Sequence, residues 1–312
     1  MNYEIRHLLP HKNFYKANLN SRSTLSDGTL TPEQLKAVYK EKGYSVLAIT
    51  DNEPVNEKAL TDEDFLVLSG FCFGARSENT IPKKSSDFCA ISLSEEPKKV
   101  PAFEEEYGSD KINSYLSECK KLGYFTTYRH PAKSCQVMPE YLKFDEADAL
   151  EIMNYSSLME GHDEYNGVLY DNFLRRNHRL FCTASDENRN LVPLDSKKSD
   201  SFGAFTFINS DSLDYESIAE SIRNGHFYAS EGPEIKDIWI KGDTLNIRTS
   251  PADKIIVSAG RRNCRSVLAN GGIPLTAASF KLNEKDIYVR CIVIDEDGNR
   301  AYSRAYYLDE IM

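Results

Sequence analysis

The chain has 312 residues, 40% hydrophobic and 28% charged, with a formal net charge of −10. Those proportions suit a soluble globular protein of one large domain and one small one, and the acidic balance argues against a nucleic-acid or anionic-membrane surface. Met1 to Lys12 is polar and His-rich, unlike a signal peptide, and the apolar stretch Phe65 to Ala75 is about half the length of a bilayer span. The seven cysteines (72, 89, 119, 135, 182, 264, 291) are scattered and never form a Cys-x-x-Cys pair. That pattern predicts free thiols in a reducing cytoplasm.

Strand and helix signals alternate over the first two-thirds. Residues 16–19 lead into a polar loop, and Thr31-Pro32-Glu33 opens a helix with Thr31 as N-cap and Pro32 in the first turn. Leu35, Val38 and Tyr39 recur at helical spacing, and Gly43 is placed to end that helix. Tyr44 to Thr50 reads as a strand, as do Phe65 to Leu68 and Tyr124 to Tyr128, the last preceded by a helix over Lys111 to Leu122. Ala149 to Met153 and Leu180 to Ala184 are further strands, with helices over Gly167 to Arg176 and Tyr215 to Asn224. After Gly232-Pro233 the texture changes. Ile235 to Ile240, Thr244 to Thr249, Lys254 to Ser258, Ser279 to Leu282, Ile287 to Asp295 and Ala301 to Leu308 are short strands separated by glycine turns. Some 80 residues of this kind predict a small β-sandwich.

Polar segments sit just past several of these strands. They are Asn-Leu-Asn-Ser-Arg-Ser-Thr-Leu-Ser-Asp-Gly (18–28), Ile-Thr-Asp-Asn (49–52), Arg-His-Pro (129–131) and Ala-Ser-Asp-Glu-Asn (184–188). In barrels of parallel strands that end carries the chemistry. Together with Gly43 to Asp51, Glu151-Ile152-Met153-Asn154 and the run Asn224 to Pro233, they resemble the PHP (polymerase and histidinol phosphatase) family of metal-dependent phosphoesterases, in the branch with a C-terminal β domain. That family's first motif reads Asn-Leu-His-x-His-Thr-x-x-Ser-Asp-Gly, its second Thr-Asp-His and a later one Ser-Asp-x-His. The resemblance implies a distorted (β/α)7 barrel over 1–232 and a β-sandwich-like domain over 233–312.

Members of the family hold up to three divalent ions, which bridge phosphate oxygens and generate a metal-bound hydroxide. Position by position, the resemblance places the ligands on Asn20, Arg22, Asp27, Asn52, Cys72, His130, Asp186 and Asn188. Asp51 belongs to the same cleft, and the ligand histidine usual near Lys83 to Ala90 is missing. Only Asp27, His130 and Asp186 are competent ligand types, with the Cys72 thiolate as a fourth. Asn offers a neutral carbonyl oxygen in place of an imidazole nitrogen, and Arg22 is a permanent cation without a lone pair.

The substitutions predict a pseudoenzyme whose cleft binds a ligand, a phosphorylated small molecule or another anion, or a protein partner. The alternative is a weakened phosphoesterase using one zinc, manganese or iron ion; otherwise no cofactor is expected. No nucleic acid or membrane partner is expected. Arg22, Arg76, Arg129 and Arg189, with Lys133, are the candidate anion-binding cations, against the plainer reading of a solvated basic face. The plainer alternatives are that Asp27 only closes the Ser26-Asp27-Gly28 turn and that Cys72 is a small buried hydrophobe, while Asp51 and Asp186 are candidates to accept hydrogen bonds from loop backbones or from Arg22. Arg22 is expected to contact at least one of Asp27, Asp51 and Asp186.

Overall fold

The computed structural model describes residues 4–52, 58–78 and 80–312, so Met1 to Tyr3 of the polar leading stretch lie outside the described residues. In chain order the first part comprises β1 (Ile5–His7), β2 (Asn13–Ser21), α1 (Pro32–Glu41), β3 (Val46–Ile49), β4 (Leu66–Arg76) and β5 (Ser85–Ser92). There follow α2 (Ser109–Lys121), β6 (Tyr124–Tyr128), α3 (Met138–Tyr141), β7 (Ala149–Asn154), α4 (Tyr155–Glu160) and α5 (Gly167–Arg175). The part closes with β8 (Phe181–Ser185), β9 (Phe205–Ser210), α6 (Tyr215–Arg223) and β10 (Phe227–Ser230).

The N-terminus of α1 forms as its sequence directs. Gln34 N–H donates to the Thr31 hydroxyl while the Thr31 N–H donates to the Gln34 side chain, with Pro32 at the first helical position. Leu35 and Tyr39 share the buried face, and Gly43 turns the chain with φ +77°.

The fold is mixed α/β and strand-rich, with the expected alternation incomplete. β2, β3 and β4 are parallel, but β4 then turns directly into antiparallel β5, which pairs antiparallel with β6. From β6 through β7 to β8 the sheet is parallel again. The segment beyond β8 returns beside β2: Ser21 bridges Asn188, Arg22 N–H donates to the Asn188 carbonyl at 3.1 Å, and Glu187 N–H donates to the Asn20 carbonyl at 3.0 Å. The C-terminal ends of β2, β3, β6, β7 and β8 thereby lie around one polar cleft, beneath which Ala17, Leu19, Val46, Leu68 and Phe125 form an apolar core.

The second part comprises β11 (Ile235–Lys241), β12 (Thr244–Ala252), β13 (Lys254–Ala259), β14 (Arg265–Leu268), β15 (Leu275–Lys281), β16 (Tyr288–Ile294), β17 (Arg300–Ser303), β18 (Tyr306–Tyr307) and α7 (Leu308–Ile311). A four-stranded sheet in the order β1-β11-β12-β15 faces β14-β13-β16-β17, with β18 against β16. Ile238, Leu245 and Ile247 of one layer share a core with Ile255, Val257 and Val293 of the other. The strand expected over Ala301 to Leu308 is broken at Arg304-Ala305, because the Ala305 N–H turns aside to donate to the Tyr170 hydroxyl at 3.2 Å. Two strand pairings join the layers to the first part, β1 on β11 and β17 on β10.

No helix of the described residues is long and apolar enough to cross a membrane.

Candidate functional site

Each motif segment delivers a different group to the cleft. Asn20, at the end of β2, accepts from the Thr50 hydroxyl at 2.8 Å and from the Cys72 thiol at 3.7 Å, while its own Nδ2 has no hydrogen-bond partner. Arg22 is buried; Nη1 donates to Asn52 Oδ1 at 3.1 Å and Nε lies 3.8 Å from Asp27 Oδ1. The expected contact to an aspartate is thus present as an ion pair, without two parallel hydrogen bonds.

The other two aspartates serve loops. Asp51 accepts from Ser23 N–H at 2.9 Å, from the Ser23 hydroxyl at 2.6 Å and from the Ser26 hydroxyl, so it braces the turn that follows β2. Asp186 is fully buried and accepts from the amides of Phe202 (2.7 Å), Gly203 (3.0 Å) and Ala204 (3.0 Å). Burial pushes its carboxyl up to about 6 even so. The Tyr39 hydroxyl lies 2.7 Å from Asp186 Oδ2 and 2.9 Å from Asn188 Oδ1, and its single proton can serve one of them. Asn188 accepts from Asn18 Nδ2 at 3.1 Å and donates to Asn190 at 2.7 Å. Asp186 and Asn188 thus belong to a buried polar network linking β8 to α1.

Two carboxylates organise the remaining side of the cleft, and sequence reasoning singled out neither as a site residue. Glu187 is buried between cations: Arg129 Nη2 pairs closely with its Oε1, to which Arg189 Nη2 also donates at 3.1 Å. Its Oε2 accepts from Asn154 Nδ2 at 2.8 Å and lies 3.6 Å from His130 Nε2. Burial alone would raise the Glu187 pKa, but the neighbouring positive charges outweigh it and hold the carboxyl well below the usual range. Arg129 and Arg189 carry that effect, because burial drives His130 toward its neutral form. Glu151 accepts from the His130 N–H at 2.9 Å, from Asn154 Nδ2 at 2.8 Å and from the Ser185 hydroxyl. Burial and the charge of Glu187 push the Glu151 carboxyl up to about 7. The available signal was position: Glu151 interrupts the apolar run of β7, and Glu187 lies in the polar segment just past β8.

Asp27 stands at the rim, half exposed, with Arg189 Nε at 2.7 Å. Burial opposes its ionisation, but the hydrogen bond from Arg189 and the charges of Arg22 and Arg189 lower its pKa overall. Cys72 is buried in β4 beside the cleft. Burial alone would raise its pKa, but its contact with the Cys89 thiol and the charges of Arg129 and Arg22 lower it.

Two adjoining cavities open on these groups. The smaller, about 410 Å³, is lined by seven basic side chains against three acidic ones, Asp27, Asp87 and Glu187. The larger, about 1010 Å³, shares Arg22, Arg76 and Arg129 with it and extends to a wall of Phe73, Phe103 and Tyr115. Arg76 is exposed at the mouth, whereas Arg22 and Arg129 are buried and each has an Nε without a hydrogen-bond partner. In a chain of net charge −10, this is a concentrated positive site.

These donors do not fit a multinuclear ion cluster. The guanidinium of Arg22 lies within the would-be ligand set, Asp186 is committed to three backbone amides, and Asp27 is committed to Arg189. Among the described residues, no group of three or more His, Cys, Asp or Glu side chains is arranged to hold a metal ion.

No family model matches the chain, and no curated protein matches it. Among solved structures, it is similar to a proposed metal-dependent phosphoesterase from Bifidobacterium adolescentis, at 13% identity over 55% of this chain and 86% of that one, with a TM-score of 0.39. It is also similar to a two-domain protein from Bacteroides vulgatus containing a predicted PHP-like metal-dependent phosphoesterase, at 14% identity over 98% of each chain, with a TM-score of 0.48.

Proposed function

We propose that this protein binds a phosphorylated small molecule on a PHP-type scaffold, using arginines where active relatives would use metal ions. The observation that carries the reading is the pair Arg22 and Arg129. Both are buried, both line the two cavities, and each retains a guanidinium N–H without an acceptor. Seven basic side chains against three acidic ones leave the guanidinium charges of Arg22 and Arg129 only partly offset, so an anion entering the cavity gains charge-assisted interactions with them. Guanidinium groups also match the oxygens of a phosphate through paired hydrogen bonds.

On this reading the β2-to-β8 sheet closes as a distorted barrel, residues 233–312 form the β domain, and the protein is a cytoplasmic pseudoenzyme. Glu187 holds Arg129 and Arg189 in place while leaving the cleft net positive, and Arg76 and Lys133 attract the ligand at the mouth.

Isothermal titration calorimetry with inorganic phosphate and with a sugar phosphate tests the proposal. Both should bind, and Arg129→Gln should weaken binding by roughly 10- to 100-fold, the equivalent of one charge-assisted hydrogen bond of about 1.5–3 kcal/mol. Absence of heat from either anion would overturn the reading. Manganese-dependent hydrolysis of a phosphomonoester that disappears in His130→Ala would favour the single-metal phosphoesterase instead.

A further inference from the structure

Cys72 and Cys89 face each other across β4 and β5, and nothing in the anion-binding reading uses them. They are register partners in an antiparallel pair, so their side chains lie on the same face of the sheet, and both join the same buried cluster. The Cys72 N–H donates at 3.0 Å to the Asp51 carbonyl, on the side of β3 and away from β5. In an antiparallel ladder, a residue whose N–H points away from its partner belongs to a non-hydrogen-bonded pair. There the Cα atoms approach to about 4.5 Å, within the range a disulfide spans. Both thiols are free, Cys72 donating to Asn20 Oδ1 at 3.7 Å and Cys89 to the Leu19 carbonyl at 3.8 Å.

The surroundings distinguish the two sulfurs. Cys72 borders the larger cavity, whereas Cys89 is directed toward the Leu19 carbonyl at 3.8 Å. Arg22 and Arg129, two buried cations, line the same cavity as Cys72.

We infer that Cys72 is an oxidation site for a small peroxide entering the cleft, and that Cys89 resolves it as a cross-strand disulfide. The Cys72 thiolate attacks one peroxide oxygen. The O–O bond breaks, an S–O bond forms, and the departing oxygen leaves as water after taking up a proton. Cys89 sulfur then attacks the sulfenic sulfur of Cys72; the S–O bond breaks, and the hydroxide leaves as a second water with the Cys89 proton. Two thiols are oxidised and one hydrogen peroxide is reduced to two waters. The product removes a thiolate charge beside Arg22 and Arg129, which couples oxidation to the charge of the cleft.

The experiment uses the full chain with the two exposed cysteines replaced, Cys135→Ser and Cys264→Ser, so that surface thiols do not compete. After stoichiometric hydrogen peroxide, the intact mass should fall by two hydrogens. Non-reducing peptide mapping should find Cys72 linked to Cys89 in most of the protein, reversibly with dithiothreitol. In the added Cys89→Ser variant, dimedone should label Cys72; in the added Cys72→Ser variant, position 89 should stay unlabelled. Circular dichroism of each variant confirms that the fold is retained. A folded protein giving neither the linked peptide nor the Cys72 adduct overturns the inference, as does preferential labelling of Cys89. Neither outcome depends on phosphate binding, so the two proposals stand or fall separately.

Discussion

Glu151 shows how a single buried carboxyl makes the stability of the whole chain depend on pH. Its folded pKa, raised to about 7 by burial and by Glu187, stands above the ordinary value of 4.5. Between those limits the folded state keeps a proton that the unfolded state has lost, so this residue's contribution falls as pH rises from 4.5 to 7. At 1.36 kcal/mol per pH unit, the change amounts to about 3 kcal/mol. His130 works in the opposite direction: its lowered pKa leaves it neutral in the fold where the unfolded chain would be charged, so its contribution rises with pH up to its ordinary value of 6.5. Glu151→Gln separates the two. Measured by urea unfolding at several pH values, the variant should gain about 3 kcal/mol relative to the parent between pH 4.5 and 7.5. A difference that does not vary with pH would show that Glu151 is ionised throughout.

At the level of elements, β4 is the tight point of the site. A Cβ on Gly70 would meet the Ala90 carbonyl oxygen at 2.7 Å and the Thr50 methyl at 2.9 Å, so the strand depends on a missing side chain to pass between β3 and β5. Gly70→Ala should cost about 1–3 kcal/mol in thermal or urea unfolding, because the closest obstacle is backbone and cannot rotate away. An unchanged midpoint would mean that β5 yields readily. Much of this architecture was legible. Thr31 and Pro32 announced α1, and short apolar runs located β3, β6, β7 and β8. β5 was not, since Ser85-Ser86-Asp87 opens it with polar residues and its identity comes from pairing with β4 on one side and β6 on the other. The site divides in the same way. Motif order located Asn20, Arg22, Asp51, His130 and Asp186 at strand ends and Cys72 within β4, but side-chain direction is settled by distant partners. Phe202 to Ala204 turn Asp186 into a loop brace, and Arg129 and Arg189 make Glu187 the central carboxylate.

For the whole molecule, the joint between its two parts decides whether it unfolds as one body. β10 pairs with β17 and β1 with β11, so each part contributes strands to the other's edge. Asp171 on α5 is held by Arg290 on β16 through two hydrogen bonds of 2.9 and 3.0 Å, with Tyr288 O–H donating to the same carboxylate at 3.1 Å. Both members of the pair are buried, and removing Arg290 would strand a carboxylate inside the interface, a loss of about 3–5 kcal/mol. Two natural reporters sit on opposite sides of this joint. Trp239, the single tryptophan, lies in β11, whereas the longer helices α1, α2, α5 and α6 all precede residue 232. Tryptophan fluorescence and far-ultraviolet ellipticity should therefore lose their native signals over the same temperature range, as a two-state transition requires. Arg290→Ala should lower both midpoints together, since the lost pair belongs to neither part alone. A fluorescence transition well separated from the helical one would show instead that the β layers melt independently, and that the strand exchange at β1 and β17 is too weak to couple them.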